Sequence, residues 1–309
     1  MNKNRIKINM VMKKESLIHI IILNYYGKSD TLACLESLDK NTEIAGFKVI
    51  LVNNSPAEPF LDTELYGYKF AVEYVKADKN LGFCGGNNLA IQKSLEDTQC
   101  GYIMLLNNDT LVTKGLLKKF KYVCDENASF ILNPLIIFYA TGKLQCTGGQ
   151  WSLLFGYARN INKGKQPDSI REDITPFYLN GCCLFARKEV FEKTGLLDKD
   201  YFAYGEDIDF SIRAKKLGYK LRVIHDACIY HRHSRTGNPL LKQYLICRNN
   251  VLCIRKNYSL LIFFTLCPIH FITQALIGYF VFKNRNIIRL IACIITGYYD
   301  GLTNKRRSV

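Results

Sequence analysis

Two acidic clusters in this 309-residue chain carry the residue types that group-transfer chemistry needs. The first, Leu105-Leu106-Asn107-Asn108-Asp109-Thr110, completes an apolar, strand-like run that begins at Tyr102. Its polar end falls at the carboxyl edge of a sheet, where open α/β sheets bind ligands. The second, Tyr204-Gly205-Glu206-Asp207-Ile208-Asp209-Phe210, leads into a helix-like stretch from Phe210 to Leu217. Tyr230-His231 closes a further short strand behind it. One carboxylate to hold a metal, a second to take a proton and a later histidine ligand make a kit for metal-assisted group transfer. Each piece alone has a plainer reading. Asp109 suits a polar loop or a helix cap, and Glu206 and Asp207 suit an acidic first helical turn favoured by the helix dipole. Asp209 suits the N-cap of the helix from Phe210, and a lone histidine is usually structural.

Positioning such groups calls for strands that end side by side. Leu17 to Leu23, Phe47 to Val52, Phe70 to Val75 and Tyr102 to Leu106 are short apolar runs of the buried-strand type. Helical patterns separate them, one of them running through Leu32, Leu35 and Leu38. Strands alternating with helices predict an α/β fold with a mostly parallel, Rossmann-like sheet. Residues 130–200 are less regular, with a strand over Phe130–Phe138, a turn at Gly148-Gly149 and the only tryptophan, Trp151. Asn160 to Asp173 reads as a loop, Phe177 to Ala186 as a strand, and Arg187 to Thr194 as a helix stopped by Gly195.

The formal charge of +15 is unevenly placed. From Arg248 onward nine Lys or Arg face a single acid, Asp300, among long apolar runs. Basic and apolar together point to anionic lipid rather than to nucleic acid. Tyr258 to Phe282 contains no charged residue and is long enough to span a bilayer. Pro268, His270 and Gln274 interrupt it, however, and Lys283, Arg285 and Arg289 follow, against the positive-inside tendency for a single span. The preferred reading is a membrane-embedded or interfacial pair of helices, ahead of a transmembrane helix or a soluble cap. At the other end, Lys3, Arg5, Lys7, Lys13 and Lys14 precede an apolar run that ends in Asn24-Tyr25-Tyr26-Gly27. That run reads as a first strand rather than a signal peptide. Twelve cysteines without a CxxC pair, most inside apolar runs, read as buried reduced thiols. Both features lead us to expect a catalytic part on the cytosolic side.

Gly82, Gly85 and Gly86 lack GxGxxG spacing, so Asn80 to Asn88 reads either as a tight strand–helix turn or as close backbone approach to a nucleotide. Here the order of motifs resembles a known family. Ile22-Leu23-Asn24-Tyr25-Tyr26, Val52-Asn53-Asn54-Ser55, Asn80-Leu81-Gly82-Phe83, Asn87-Asn88, Leu106-Asn107-Asn108-Asp109 and Gly205-Glu206-Asp207-Ile208-Asp209 occur as they do in family 2 glycosyltransferases. The rhamnosyltransferase-like branch also shares Arg187-Lys188-Glu189-Val190-Phe191 and Arg248-Asn249-Asn250. The resemblance covers about residues 17–256.

The resemblance implies a GT-A domain over 17–247, after a basic extension at 1–16 and before a basic, apolar, membrane-associated helical region at 248–309. It implies an inverting, metal-dependent transfer from dTDP-rhamnose or a UDP-sugar to a hydroxyl of a growing surface glycan. Mg²⁺ or Mn²⁺ would be held by Asp109 and His231, with Asn107 where the family often has a first Asp. Asp207 matches the general base, and Glu206 beside it would orient the acceptor or raise the pKa of Asp207. Asn24, Asn53, Asn54, Asn80, Gly82, Asn87, Asn108 and Arg235 fall on the donor side. Trp151, Asn180 and Gly181 fall on the acceptor side, where a packing role is the alternative. Basic, apolar C-terminal helices fit a polyprenyl-diphosphate-linked acceptor at the cytoplasmic face of the membrane. Asn53 and Asn107, neutral where carboxylates are frequent, keep open a non-catalytic nucleotide-sugar-binding or scaffolding protein. A nucleotidyltransferase would need a Gly-rich basic loop after the first strand, and Asn24-Tyr25-Tyr26-Gly27 is not one. Oligomeric state stays open.

Overall fold

The computed structural model describes residues 16–41, 43, 46–233, 238–282, 287–303 and 305. The expected basic extension, apart from Ser16, and Arg235 lie outside them. The first half alternates as expected: β1 (Leu17–Asn24), α1 (Lys28–Asn41), β2 (Phe47–Asn53), a single turn α2 (Asp62–Leu65), β3 (Ala71–Lys76), α3 (Gly82–Glu96) and β4 (Cys100–Asn107). The chain continues through β5 (Thr110–Val112), α4 (Leu116–Glu126), β6 (Phe130–Phe138), β7 (Leu144–Cys146) and a hairpin of β8 (Gly149–Ser152) and β9 (Tyr157–Asn160). Next come β10 (Cys183–Arg187), α5 (Lys188–Thr194), α6 (Glu206–Lys216) and β11 (Lys220–His231). Three helices close it, α7 (Pro239–Asn257), α8 (Leu260–Phe282) and α9 (Ile287–Thr303).

The main sheet runs β3-β2-β1-β4-β10-β6-β11-β5, with β7 beside β6. β3, β2, β1 and β4 are mutually parallel. Ile20, Ile21 and Ile22 of β1 are all fully buried, because helices cover both faces of the sheet and leave no solvent side for alternation. β10 is inserted antiparallel between β4 and β6, while β11 runs parallel to β6. This brings the carboxyl ends of β1, β2 and β4 to the edge where the amino end of β10 begins, and the site forms there.

Two expected boundaries shift. The strand expected from Phe177 begins only at Cys183, because Asn180–Cys182 form a turn: Cys182 N–H donates to the Asn180 side chain at 2.9 Å. The helix expected from Phe210 starts at Glu206, after a left-handed Gly205. Asp209 is therefore not its N-cap. It lies buried in the helix, taking hydrogen bonds from Arg213 (2.7 Å) and Asn257 (2.8 Å).

Residue 248, expected to open a separate region, falls inside α7, which runs unbroken from the body into the C-terminal layer. A Cβ on Gly297 or Gly301 of α9 would meet a backbone carbonyl of α7 at 2.8 or 2.7 Å, so only glycine permits this approach. The membrane-associated region is not supported as a span: among the described residues no helix is long and apolar enough to cross a membrane. α8 instead turns polar groups inward. His270 meets the Leu153 carbonyl at 2.6 Å, and Gln274 donates to that of Gly156 at 3.0 Å. Leu261, Phe264, Ile272 and Leu276 face outward. All twelve cysteines are free thiols.

Candidate active site

One turn joins the two acidic clusters. Gly181 N–H donates to Asp207 Oδ2 at 3.2 Å, and the carbonyl of the next residue, Cys182, accepts from Asn107 N–H at 2.8 Å. The start of α6 and the end of β4 thus flank a single backbone turn. Asp207 Oδ1 also accepts from Ile208 N–H at 2.9 Å. Burial raises the Asp207 carboxyl above its ordinary range, against the pull of these N–H donors. Glu206 is raised further, first by burial and then by the Asp207 charge, and its buried Oε2 has no hydrogen-bond partner. The environment separates the two acids, with Glu206 raised further, so Asp207 is the more readily ionised. A split of that kind is what would let a carboxylate pair divide proton-accepting and positioning roles.

The segment before α6 is held in place at some cost. Phe202 (φ 63°) and Tyr204 (φ 69°) are non-glycine residues in left-handed conformations, each costing about 1–3 kcal/mol. Asn249 of α7 offsets this by donating through Nδ2 to the carbonyls of Tyr201 (2.9 Å), Ala203 (2.8 Å) and Tyr204 (2.6 Å). Arg248 Nη1 donates to Asn249 Oδ1 at 2.8 Å and so fixes which end of the amide faces the loop. The same loop reaches the donor side. Phe202 carbonyl accepts from Cys84 N–H at 3.1 Å, and its ring lies where a Cβ on Gly82 (φ 72°) would sit. Sequence reasoning assigned no role to Asn249. The signal available was the Arg248-Asn249-Asn250 run itself.

Asp109 Oδ1 lies 3.0 Å from His231 Nε2, and His231 Nδ1 lies 2.7 Å from Gln145 Oε1. Pairing of β11 with β5 brings them together, with His231 opposite Thr110. If Gln145 Oε1 accepts from Nδ1–H, Nε2 either donates to the Asp109 carboxylate or, in the neutral ring, turns a lone pair beside it, and in that second state the two could share a cation. The pair therefore fits a hard divalent ion. Among the described residues no cluster of three His, Cys, Asp or Glu surrounds it, so the remaining ligands would be neutral oxygens or phosphate. Asn107 ends β4 half-buried, its carbonyl accepting from Thr110 Oγ1 at 2.7 Å. Arg232, next to His231, pairs with Asp30 at 2.9 Å.

Several expected donor contacts turn out to be braces. Asn24 and Asn53 are fully buried: Asn24 Nδ2 donates to Asn53 Oδ1 at 3.0 Å, and Asn53 Nδ2 to Glu58 carbonyl and Tyr74 hydroxyl. Asn54 is buried against Asn80 (2.9 Å) and Leu81 N–H (2.8 Å), while Asn80 also caps Gly82 N–H. Asn87 is buried and bonds back to the Phe83 carbonyl at 2.9 Å within α3. Asn108 spans to Gly27 carbonyl and Thr31 hydroxyl. These amides hold the ends of β1, β2 and β4 in register instead of presenting free groups to a base. On the other side, Trp151 is 6% exposed and packs between Phe177 and Tyr258, so it offers no open stacking face. Asn180 N–H is held by Asn133 Oδ1 at 2.8 Å.

This geometry has relatives. Over 214 residues the chain is 23% identical to the low-salt glycan biosynthesis hexosyltransferase Agl10 of Haloferax volcanii, a match covering 69% of this chain and 66% of that protein. Among solved structures, GalNAc-T7 with UDP, GalNAc and Mn²⁺ superposes with a TM-score of 0.65 at 13% identity, over 94% of this chain but only 56% of that one. The S. aureus TarS 1–349 complex with UDP-GlcNAc gives 0.57 at 18% identity, over 93% and 81%. Such likenesses establish a GT-A-like fold. The glycosyl transferase family group 2 pattern matches residues 102–299, more than half of the chain and including both acidic clusters and His231; the chain belongs to that family.

Proposed function

We propose that this protein catalyses inverting transfer of a hexose from a UDP-sugar to a hydroxyl of a glycan acceptor. The observation that carries the reading is the Gly181–Cys182 turn, which sets an ionisable Asp207 beside the strand end bearing Asp109. Asp207 takes the proton of the acceptor hydroxyl as its oxygen forms a bond to the anomeric carbon. The bond from that carbon to the diphosphate oxygen breaks on the opposite face, and the nucleoside diphosphate leaves with the electron pair. Asp109 and His231 would hold a divalent cation such as Mg²⁺ or Mn²⁺, which offsets the charge that develops on the leaving group. Protonated Glu206 is suited to donate a hydrogen bond to the incoming acceptor. Ligands of the structural relatives favour UDP over the dTDP-rhamnose also expected from sequence.

The acceptor we propose is a polyprenyl-diphosphate-linked glycan, met at the cytoplasmic face of a membrane on which α8 and α9 lie. Support comes from the outward apolar residues of both helices and from the basic excess after residue 248. The deciding assay measures nucleoside diphosphate release from a panel of UDP-sugars and dTDP-rhamnose, with Mn²⁺, Mg²⁺ or EDTA. Metal-dependent turnover of one donor, lost in Asp109→Ala, is expected. Binding of a nucleotide sugar without turnover, even with acceptor lipids present, would instead leave a scaffold.

A further inference from the structure

Asn133 is a fully buried amide in the middle of β6, a strand otherwise apolar from Phe130 to Phe138. An amide there is unfavourable unless its hydrogen bonds are made. Apart from a 3.3 Å contact of Nδ2 with the neighbouring Leu132 carbonyl, they all go to one place. Oδ1 accepts from Asn180 N–H at 2.8 Å, and Nδ2 donates to the carbonyl of Cys183, the first residue of β10. Asn180 and Cys183 are the two shoulders of the turn that joins the acidic clusters. The backbone ladder does not reach them. β10 pairs with β6 only through Phe185 with Leu132 and Ala186 with Ile131. Continued in register, it would set Cys183 opposite Pro134, which has no N–H to donate. On the other side of Pro134, β11 slips its register between Ile224 and Cys228. The Asn133 side chain takes the place of the missing rung.

Within the turn each N–H has one acceptor. Asn180 donates to Asn133, Cys182 donates to Asn180 Oδ1 at 2.9 Å, and Gly181 donates to Asp207 Oδ2 at 3.2 Å. The aim of the Gly181 N–H therefore follows from how the shoulders on either side of it are held. Packing there is close: a Cβ on Gly181 would lie 3.6 Å from Asp207 Cβ and 3.7 Å from Glu206 Oε1. The Cys182 carbonyl meanwhile accepts from Asn107 N–H at the end of β4. Asn133 thus sits at the root of both connections, although its own hydrogen bonds reach neither acid.

We infer that Asn133 is a positioning residue for the transfer: by closing the Asn180–Cys183 turn it keeps the Gly181 N–H on the carboxylate that takes the acceptor proton. The assignment rests on the glycosyl-transfer reading above and adds a buried residue to that same site. Without the Gly181 donor the charged form of Asp207 is less favoured, so its proton affinity rises. The titratable groups around it are Glu206 and Asp209 on α6, Cys84 on α3, Cys146 on β7, Cys253 on α7 and Tyr178 ahead of the turn. None of these is a cation, so none replaces the lost donor.

The test is Asn133→Ala, made in the wild-type chain and again in Asp207→Asn, with UDP-sugar turnover measured in all four proteins. In the wild-type background kcat should fall between about tenfold and about a hundredfold, with the donor KM nearly unchanged. In Asp207→Asn the same substitution should lower the residual rate by less than about twofold, because no base is left to misplace. Asn133→Ser keeps one hydroxyl on a shorter arm; its kcat should lie between, and it serves if the alanine chain does not fold. A merely structural amide would lower both backgrounds alike. That result, an unchanged kcat, or a loss confined to the donor KM would overturn the assignment. A second readout needs no turnover. With carboxyl-labelled aspartate followed by NMR, the Asp207 signal is the one missing from Asp207→Asn, and it should titrate at higher pH in Asn133→Ala than in the wild type. An unmoved titration overturns the positioning role whatever the turnover shows. No turnover of any donor together with a moved titration removes the transferase reading and leaves the link from Asn133 to Asp207 standing.

Discussion

Glu206 and Asp207 are neighbours on one helical turn, yet their surroundings give them different proton affinities. Burial raises both, and the Asp207 charge adds to the rise of Glu206, whereas N–H donors from Gly181 and Ile208 hold Asp207 down. Asp207→Asn should therefore lower transfer by about 10²–10⁴-fold, the usual worth of a general base, while donor binding by calorimetry is retained. Normal transfer by that variant would remove the base assignment. The acidic limb of the wild-type rate should lie above the ordinary carboxylate range of about 4, because protonation of a raised Asp207 removes the base. Glu206→Gln tests the opposite state. A carboxyl already protonated is replaced by a near-isostere, so the rate should change by less than about tenfold. Its stability should change with pH in a definite direction. A raised folded-state pKa contributes stability that is fully present below the unfolded value and is lost as pH rises through the folded value. Glu206→Gln carries no such loss, so its Tm advantage over wild type should widen as pH climbs from acid toward alkaline. A gap constant with pH would show that Glu206 titrates alike in the folded and unfolded states. At this scale the meeting of Asp109 with His231, and of Asp207 with the turn that bonds the end of β4, was foreshadowed by the order of the motifs. The roles of Asn24, Asn53 and Asn54 were not, because an amide that braces a strand end and one that faces a ligand look alike until their partners are known.

The elements explain how a loop with two left-handed non-glycine residues can hold Asp207 in place. Asn249 is the clamp, and it reaches the loop only because α7 packs across the front of α6. Asn249→Ala should cost about 1–3 kcal/mol of stability and lower kcat more than it raises the donor KM. Asn249→Asp should be worse than Ala, because it turns carboxylate oxygens toward three carbonyl oxygens. Equal kinetics for the two variants would show that the loop holds itself. The four apolar runs that became β1 to β4 were readable because strands covered on both faces must be apolar at every position. The β8–β9 hairpin was not, since its strands are four residues each and mostly half-exposed. The start of α6 was misplaced because acidic residues in a first helical turn resemble a polar loop. Composition changes at position 248, yet the backbone does not: the helix that clamps the loop before α6 is the one that carries the C-terminal layer.

For the whole molecule, the C-terminal layer inverts the usual distribution of polarity. On α8 the inward side hydrogen-bonds through His270 and Gln274, while Leu261 (75%), Phe264 (69%), Ile272 (59%) and Leu276 (55%) are exposed along one face. Ile291, Ile295 and Tyr299 continue the exposed apolar surface on α9. Each large side chain taken out of water contributes roughly 1.5–3 kcal/mol. A neighbouring Lys or Arg adds about 1 kcal/mol on an anionic surface. In the membrane contact proposed, the apolar contribution would therefore dominate, and charge would supply the preference for acidic lipid. Wild-type protein should co-sediment with phosphatidylglycerol vesicles and remain partly bound at a salt concentration that screens the charges. Replacing Leu261, Phe264 and Ile272 together by serine should weaken that binding by at least tenfold and leave UDP-sugar hydrolysis in free solution intact, since none of the three touches the site. If instead high salt releases the protein completely and the triple variant sediments like wild type, basic residues alone make the contact. The exposed face of α8 would then belong to a protein partner rather than to the membrane.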